Sequence, residues 1–265
     1  MNKVLPLAFL LGAFSCAGSA PPATPSEARF TTETRAPSAA SPRARAIVEA
    51  PDRLEIDRKL DAGRRPAELL TFLGVEPGMR VAELIAGAGY TAELLARAVA
   101  PNGAVYAQNP KFVLEHGEEP WKERLGRSAA KTIVRVDREL DDPLPPEAKD
   151  LDLVLVNLVY HDTVWLGVDR EKMNRAVFGS LRKGGRYAII DHSARHGTGF
   201  ADVKTLHRVD EAAVRAEVEH AGFVLQTESN FLRNPSDARD WNDSPGVAGD
   251  RRGTSDRFAL LFVKP

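Results

Sequence analysis

The sequence predicts an α/β fold, a doubly wound and mostly parallel sheet of seven strands with an antiparallel last strand. Three observations carry that expectation. Short apolar runs alternate with amphipathic helical segments from residue 54 onward, and repeated units of this kind imply a parallel sheet covered on both faces. Residues 80–100, RVAELIAGAGYTAELLARAVA, end an apolar strand in Glu83, turn on Gly87 and Gly89, and enter a helix with Leu94, Leu95, Ala98 and Val99 on one side. Polar residues gather at one set of strand ends, whereas the opposite ends carry plain turns such as Pro101-Asn102-Gly103.

The elements follow in order. An amphipathic segment at 54–73, with Leu60, Leu69, Leu70 and Phe72, precedes the first strand at 81–85 and its helix to residue 100. The Pro-Asn-Gly turn leads to a second strand at 104–107. A charged helical stretch at 113–127 delivers a third strand at 132–136, and the acidic, proline-rich loop 139–149 a fourth at 151–156. The helix 170–182 places Met173, Val177 and Leu181 on one side, stops at Gly184-Gly185 and yields a fifth strand at 187–190. A helix at 211–221 stops at Gly222. Residues 223–226 and 258–263 then read as closing strands, joined by a segment too rich in Asp, Arg, Pro and Gly for helix. With an antiparallel last strand, residues 234–256 emerge over the ligand-binding edge as a lid.

The chain has 265 residues and a formal net charge of -1, so there is no general electrostatic reason to expect a nucleic-acid partner. Its beginning, MNKVLPLAFLLGAFSCAGSA, has one Lys and an apolar run of signal-peptide length, too short to span a bilayer. Cys16 is the only cysteine, and Ala13-Phe14-Ser15-Cys16 resembles a bacterial lipobox, with an ordinary cleaved signal as the alternative. Residues 1–16 are thus expected to be an export signal with lipid attachment at Cys16, residues 17–45 a disordered Pro/Ser/Thr/Ala linker, and residues 46–265 the folded domain. The expected location is periplasmic, as a lipoprotein held to the membrane by that anchor. No cysteine remains for disulfides or thiol catalysis.

In an open parallel sheet, ligands bind at the carboxyl ends of the strands. Those ends carry Glu83, Gln108-Asn109, Asp137, Asn157 with Tyr160-His161-Asp162, and Asp191-His192. Gly87 and Gly89 allow positive φ and close backbone approach, and the N–H groups opening the next helix point into the same crevice, which suits a nucleoside-containing ligand. His161 and His192 each adjoin an aspartate and are the candidate general base or acceptor-binding groups, with Asp191 as orienting partner. Tyr90 and Trp165 are placed to pack on adenine or substrate, or simply in the core. A metal site from His161, His192, His196 and His207 is not expected, because no close-spaced ligand pair lies on a helix. His116 and His220 read as helix-surface residues.

Glu83-Leu84-Ile85-Ala86-Gly87-Ala88-Gly89, the turn Leu181-Arg182-Lys183-Gly184-Gly185-Arg186, and Leu206-His207-Arg208-Val209 followed by Ala221-Gly222-Phe223 carry a resemblance. From about residue 54 to the end, the chain resembles the class I S-adenosylmethionine-dependent methyltransferases, in particular a little-studied branch of predicted bacterial methyltransferases. The resemblance implies a Rossmann-like sheet and S-adenosylmethionine as cofactor. It implies that Glu83 and the Gly87/Gly89 turn surround the amino-acid end of the cofactor, that Gln108-Asn109 meet the ribose and that Asp137 lies near the adenine; Tyr90 and Asn157 are read as further cofactor-binding residues, and 157–162 as the loop presenting the acceptor. The expected reaction is methyl transfer to a small molecule or envelope component. Ile85 replaces a further glycine of the family pattern, and the amide pair replaces its usual ribose-binding acid. Two alternatives stay open: an NADP-linked oxidoreductase with Lys111 near a phosphorylated ribose, and an exported, non-catalytic nucleoside-binding protein of the same fold. The oligomeric state is left open.

Overall fold

The computed structural model describes Met1, the backbone of residues 33–35, and residues 39–265. The expected signal, Cys16 and most of the expected linker lie outside the described residues. The chain order is β1 (Glu33–Arg35), α1 (Pro42–Val48), α2 (Glu55–Arg64), α3 (Pro66–Leu73), β2 (Arg80–Leu84), α4 (Tyr90–Val99), β3 (Ala104–Asn109), α5 (Lys111–Leu125), β4 (Ile133–Asp137), β5 (Leu151–Asn157), α6 (Tyr160–Trp165), α7 (Arg170–Ser180), β6 (Leu181–His192), α8 (Val203–Leu206), α9 (Glu211–His220), β7 (Val224–Ser229) and β8 (Arg257–Val263).

The sheet runs β1-β7-β8-β6-β5-β2-β3-β4. The pairs β2–β3, β2–β5, β3–β4 and β5–β6 are parallel, and β8 is antiparallel to both β6 and β7. These are the seven expected strands with their antiparallel last member. The short β1 adds an eighth at the edge, parallel to β7.

Successive residues of the central strands enter opposite cores, as the two-residue period of a strand requires. Val81, Leu153, Leu155, Ala188 and Ile190 face α3 and α4 through Leu69, Leu73, Leu94, Leu95 and Val99. Ala82, Val154, Val156, Tyr187 and Ile189 face α7 and α9 through Met173, Val177, Val214 and Val218. Each Val, Leu, Ile or Met among them contributes about 1.5–3 kcal/mol when fully buried, so covering both faces supplies most of the driving force for this sheet.

Three local expectations change. The segment 54–73 is two helices, because Arg65 takes a left-handed conformation (φ 46) and Pro66 opens α3 at its first turn. The start of the domain moves into the expected linker: Ser41 caps α1 by accepting from the Ala44 N–H at 3.1 Å, and Ala44 is buried against the core. A Pro/Ser/Ala composition conceals that apolar face. Finally, α7 ends at Ser180, and the glycine turn becomes part of β6, where Gly184 N donates to Lys264 O at 2.8 Å and Lys264 N to Gly185 O at 2.9 Å. Pairing with the end of the chain decides that stretch, which no local pattern reveals.

Candidate active site

The turn after β2 is braced from behind. Ile85, Gly87 and Gly89 have φ of 54, 59 and 80, respectively. Left-handed backbone is costly for a β-branched residue, so Ile85 persists because its surroundings hold it there. Gln108 Oε1 accepts from Ile85 N at 3.0 Å, and its Nε2 donates to Arg138 O at 2.6 Å. Asn109 Oδ1 accepts from Gly87 N at 2.8 Å, while its Nδ2 donates to Gly87 O at 3.0 Å. Both amides are fully buried. Asn109 is therefore committed to the turn and does not line the cavity, contrary to its expected place at a ribose.

The two glycines serve different ends. A Cβ on Gly89 would stand 2.6 Å from the Trp121 ring, so this residue lets α5 pack onto the turn and does not itself line the cavity. A Cβ on Gly87 would meet nothing within 4 Å, because Gly87 faces open space. Arg124 completes the brace, with its Nε donating to Ala88 O at 3.0 Å and its guanidinium pairing with Asp57 and Glu93 at 2.5 and 2.7 Å. Asp137, expected near adenine, is exposed, held by Arg135 at 2.8 Å, and off the cavity. It closes β4 beyond α5, a displacement that strand order alone does not show.

A cavity of about 990 Å3 lies over the carboxyl ends of β2, β5 and β6. Its walls are α2, the Gly87 turn, residues 157–162 and the connection that precedes β8. Glu83, Tyr90 and Asn157 all line it. Glu83 is 3% exposed, and its Oε2 has no hydrogen-bond partner among the described residues. Burial pushes its carboxyl up to about 8, against the opposing effects of Thr91, Arg64 and Arg124. Asn157 Nδ2 donates to Thr91 Oγ1 at 3.1 Å, tying the two strand ends together. Tyr90 donates to Asp61 at 2.7 Å and lies under the Arg64 guanidinium, 4.5 Å from its ring centre. Arg64, also on the cavity wall, has no carboxylate within ion-pairing distance among the described residues. An unpartnered carboxylate oxygen and an unpaired guanidinium beside a glycine turn fit the ammonium and carboxylate of an amino-acid group such as that of S-adenosylmethionine.

At the other end, folding assembles histidines from separate segments. His161 N and Nδ1 each lie 2.7 Å from an oxygen of Asp191, which makes Nδ1 the protonated ring nitrogen and turns Nε2 toward the cavity. His161 Nε2 is 2.5 Å from His207 Nδ1 and 3.3 Å from Asp162 Oδ1. His192 Nδ1 contacts the Asp243 carboxylate and lies 2.9 Å from Ser255 Oγ. The His161 ring stands 4.5 Å from that of His207 and 5.6 Å from that of His192, centre to centre. Burial disfavours charge on His161, but the Asp191 carboxylate outweighs it and raises the imidazole to about 9. Burial and the neighbouring His161 charge hold His207 down to about 4. Burial likewise lowers His192.

His161 and His192 thus line the same cavity as Gly87. Asp191 is fully buried behind them and does not line the cavity. Trp165 is half exposed and does not line the cavity, and His196 is 88% exposed. The connection 234–256 does pass over this edge, as an anchored wall: Arg208 pairs with Asp237 at 2.7 Å, Arg239 with Asp256 at 2.8 Å, and Asp243 N donates to Leu206 O at 3.0 Å. Sequence reasoning gave no acceptor-side role to His207, Asp243 or Arg64. The signal for His207 was its place in the Leu-His-Arg-Val motif. Asp243 had only its place in the 234–256 segment, and Arg64 had none.

A sheet with β2 beside β5 at its centre and an antiparallel β8 between β6 and β7, holding a ligand cavity at the glycine turn, is the fold of the class I S-adenosylmethionine-dependent methyltransferases. Solved structures bear this out. A SAM-dependent methyltransferase from Aquifex aeolicus is 16% identical over 84% of this chain and 98% of its own, with a TM-score of 0.57. CrArsM, an arsenic(III) S-adenosylmethionine methyltransferase from Chlamydomonas reinhardtii, is 16% identical over 85% of this chain and 74% of its own, at 0.55. The glycopeptide N-methyltransferase MtfA, complexed with sinefungin, is 15% identical over 77% and 86%, at 0.52. No family model and no curated protein sequence matches the chain. At these identities the likeness is one of fold.

Proposed function

We propose that this domain is an S-adenosylmethionine-dependent methyltransferase acting on a small-molecule acceptor seated at the histidine end of the cavity. One observation carries the reading: a buried, unpartnered Glu83 oxygen at the glycine turn and the His161–His207 pair line one cavity. When bound, the cofactor supplies a methyl group activated by its sulfonium. Glu83 would accept hydrogen bonds from its ammonium and Arg64 would face its carboxylate, while Gly87 keeps the turn open to it. His161, fixed by Asp191, and His207 present ring nitrogens to the acceptor. Holding both reactants in one enclosed site is itself the larger part of catalysis for such a transfer.

The NADP reading loses its cation. Lys111 is exposed, lies 3.7 Å from Glu115 and does not line the cavity. Calorimetric titration with S-adenosylmethionine, S-adenosylhomocysteine and NADPH tests the assignment. Binding of the first two without NADPH is the expected result, and preference for NADPH overturns it. A bound cofactor with no transfer to any hydroxyl, thiol or amine acceptor would favour the non-catalytic alternative.

We further propose that the protein is exported and lipid-anchored through Cys16. Support comes from the apolar leader, its single Lys and the lipobox-like Ala-Phe-Ser-Cys. In the native host, Cys16→Ser should abolish lipid labelling and release the protein from the membrane fraction. Wild-type protein found in the cytosol with its leader intact would refute export.

A further inference from the structure

We propose that His161, Asp162 and His207 bind a divalent transition-metal ion of the zinc class, which would anchor a hydroxyl- or thiol-bearing acceptor. The acceptor part rests on the methyltransferase reading, whereas the metal site stands on geometry alone. One ligand atom from each residue lies within 4.8 Å of the other two. His161 Nε2 and His207 Nδ1 are 2.5 Å apart, and Asp162 Oδ1 is 3.3 and 3.8 Å from them, respectively. All three side chains line the cavity, so further coordination positions would open toward the acceptor, the pattern of three-ligand catalytic sites rather than closed structural ones.

The surroundings fit as well. Asp191 accepts from His161 Nδ1, so a metal displacing the Nε2 proton would meet that nitrogen's lone pair, and a carboxylate behind a ligating histidine is the usual support of such a site. His161 Nε2 and His207 Nδ1 face each other at 2.5 Å, so both ring nitrogens are aimed at one small space. With metal–nitrogen bonds of about 2.0–2.1 Å in a tetrahedral site, the nitrogens separate to about 3.3 Å. His207 is half-buried and ends the four-residue α8 in a left-handed conformation (φ 57), so it is the ligand positioned to yield. Two imidazoles and one carboxylate select zinc, cobalt, nickel or ferrous iron over magnesium or calcium, which prefer all-oxygen sites. A metal there would bring a hydroxyl or thiol into the range where it ionises near neutral pH.

The test uses the full chain, stripped with a chelator, equilibrated with zinc sulfate or cobalt chloride, desalted, and assayed by elemental analysis and visible absorption. The expected result is one metal per chain and a cobalt d–d spectrum. His207→Ala and His161→Gln should each weaken zinc binding by about tenfold or more. Exposed His196→Ala should leave it unchanged. Failure of the folded wild type to retain zinc, or equal retention by His207→Ala and wild type, overturns the proposal. Cofactor titration of the same stripped protein separates the two readings. Zinc retention without S-adenosylmethionine binding breaks the methyltransferase assignment and leaves the metal site, and the reverse breaks only the metal site.

Discussion

The two ends of the cavity are built on different principles. At the glycine turn the working surface is backbone, braced by the buried amides of Gln108 and Asn109 and by Trp121 and Arg124. At the histidine end it is titratable side chain, drawn from α6, the end of β6, the residue after α8, and the connection before β8. The first end is shaped by where a Cβ can fit beside the Glu83 and Arg64 side chains, and the second by how the histidines and their carboxylates meet. Substitutions at the turn should therefore act on folding or cofactor affinity, and substitutions among the histidines on turnover.

The largest effect is expected at Gly89. Gly89→Val places a side chain against Trp121 at positive φ, combining overpacking of about 1–3 kcal/mol with about 1–2 kcal/mol of left-handed strain, so denaturant unfolding should report a loss of about 3 kcal/mol or more. Gly87→Val should lose cofactor binding in calorimetry while keeping a folded circular dichroism spectrum, since its side chain enters open cavity. If the two variants behave alike, the division of labour between the glycines is wrong.

On the acceptor side, His161→Ala should lower turnover by about 10²-fold or more with cofactor affinity nearly unchanged. A matching loss of cofactor affinity would merge the two ends into one site.

Glu83 makes the stability of the glycine-turn end depend on pH. Its folded-state carboxyl is raised by burial to about 8, above the ordinary 4.5, so the neutral form favours the fold. That stability is fully present below about pH 4.5 and fades as pH rises toward 8, so the melting temperature of the cofactor-free protein should fall across this window. Glu83→Gln should flatten the slope. Cofactor binding at pH 7 should release a proton from Glu83, read as a buffer-dependent binding enthalpy.

The smallest effect is expected at Ile85. Replacement by glycine relieves left-handed strain but removes a half-buried side chain and adds backbone entropy, so Ile85→Gly should change stability by less than about 1 kcal/mol. A loss above twice that would show that the side chain, rather than the turn geometry, accounts for Ile85.

Much of this was legible from local pattern. The run from Val81 through Val99, the plain turn at Pro101-Asn102-Gly103 and the polar strand ends follow from backbone period and glycine conformation, which act over a few residues. The strand edge that carries the site, and the shared cavity of Gly87, His161 and His192, follow from topology once the order of elements is known. What the tertiary structure alone decided concerns side-chain partners. Asn109 turned inward to Gly87, Asp137 fell outside the cavity, the stretch at 181–186 joined a strand, and His207 and Asp243 arrived from distant segments. Period fixes which face a residue occupies. Its partner depends on contacts between segments far apart in sequence, where packing and charge compensation outweigh local preference.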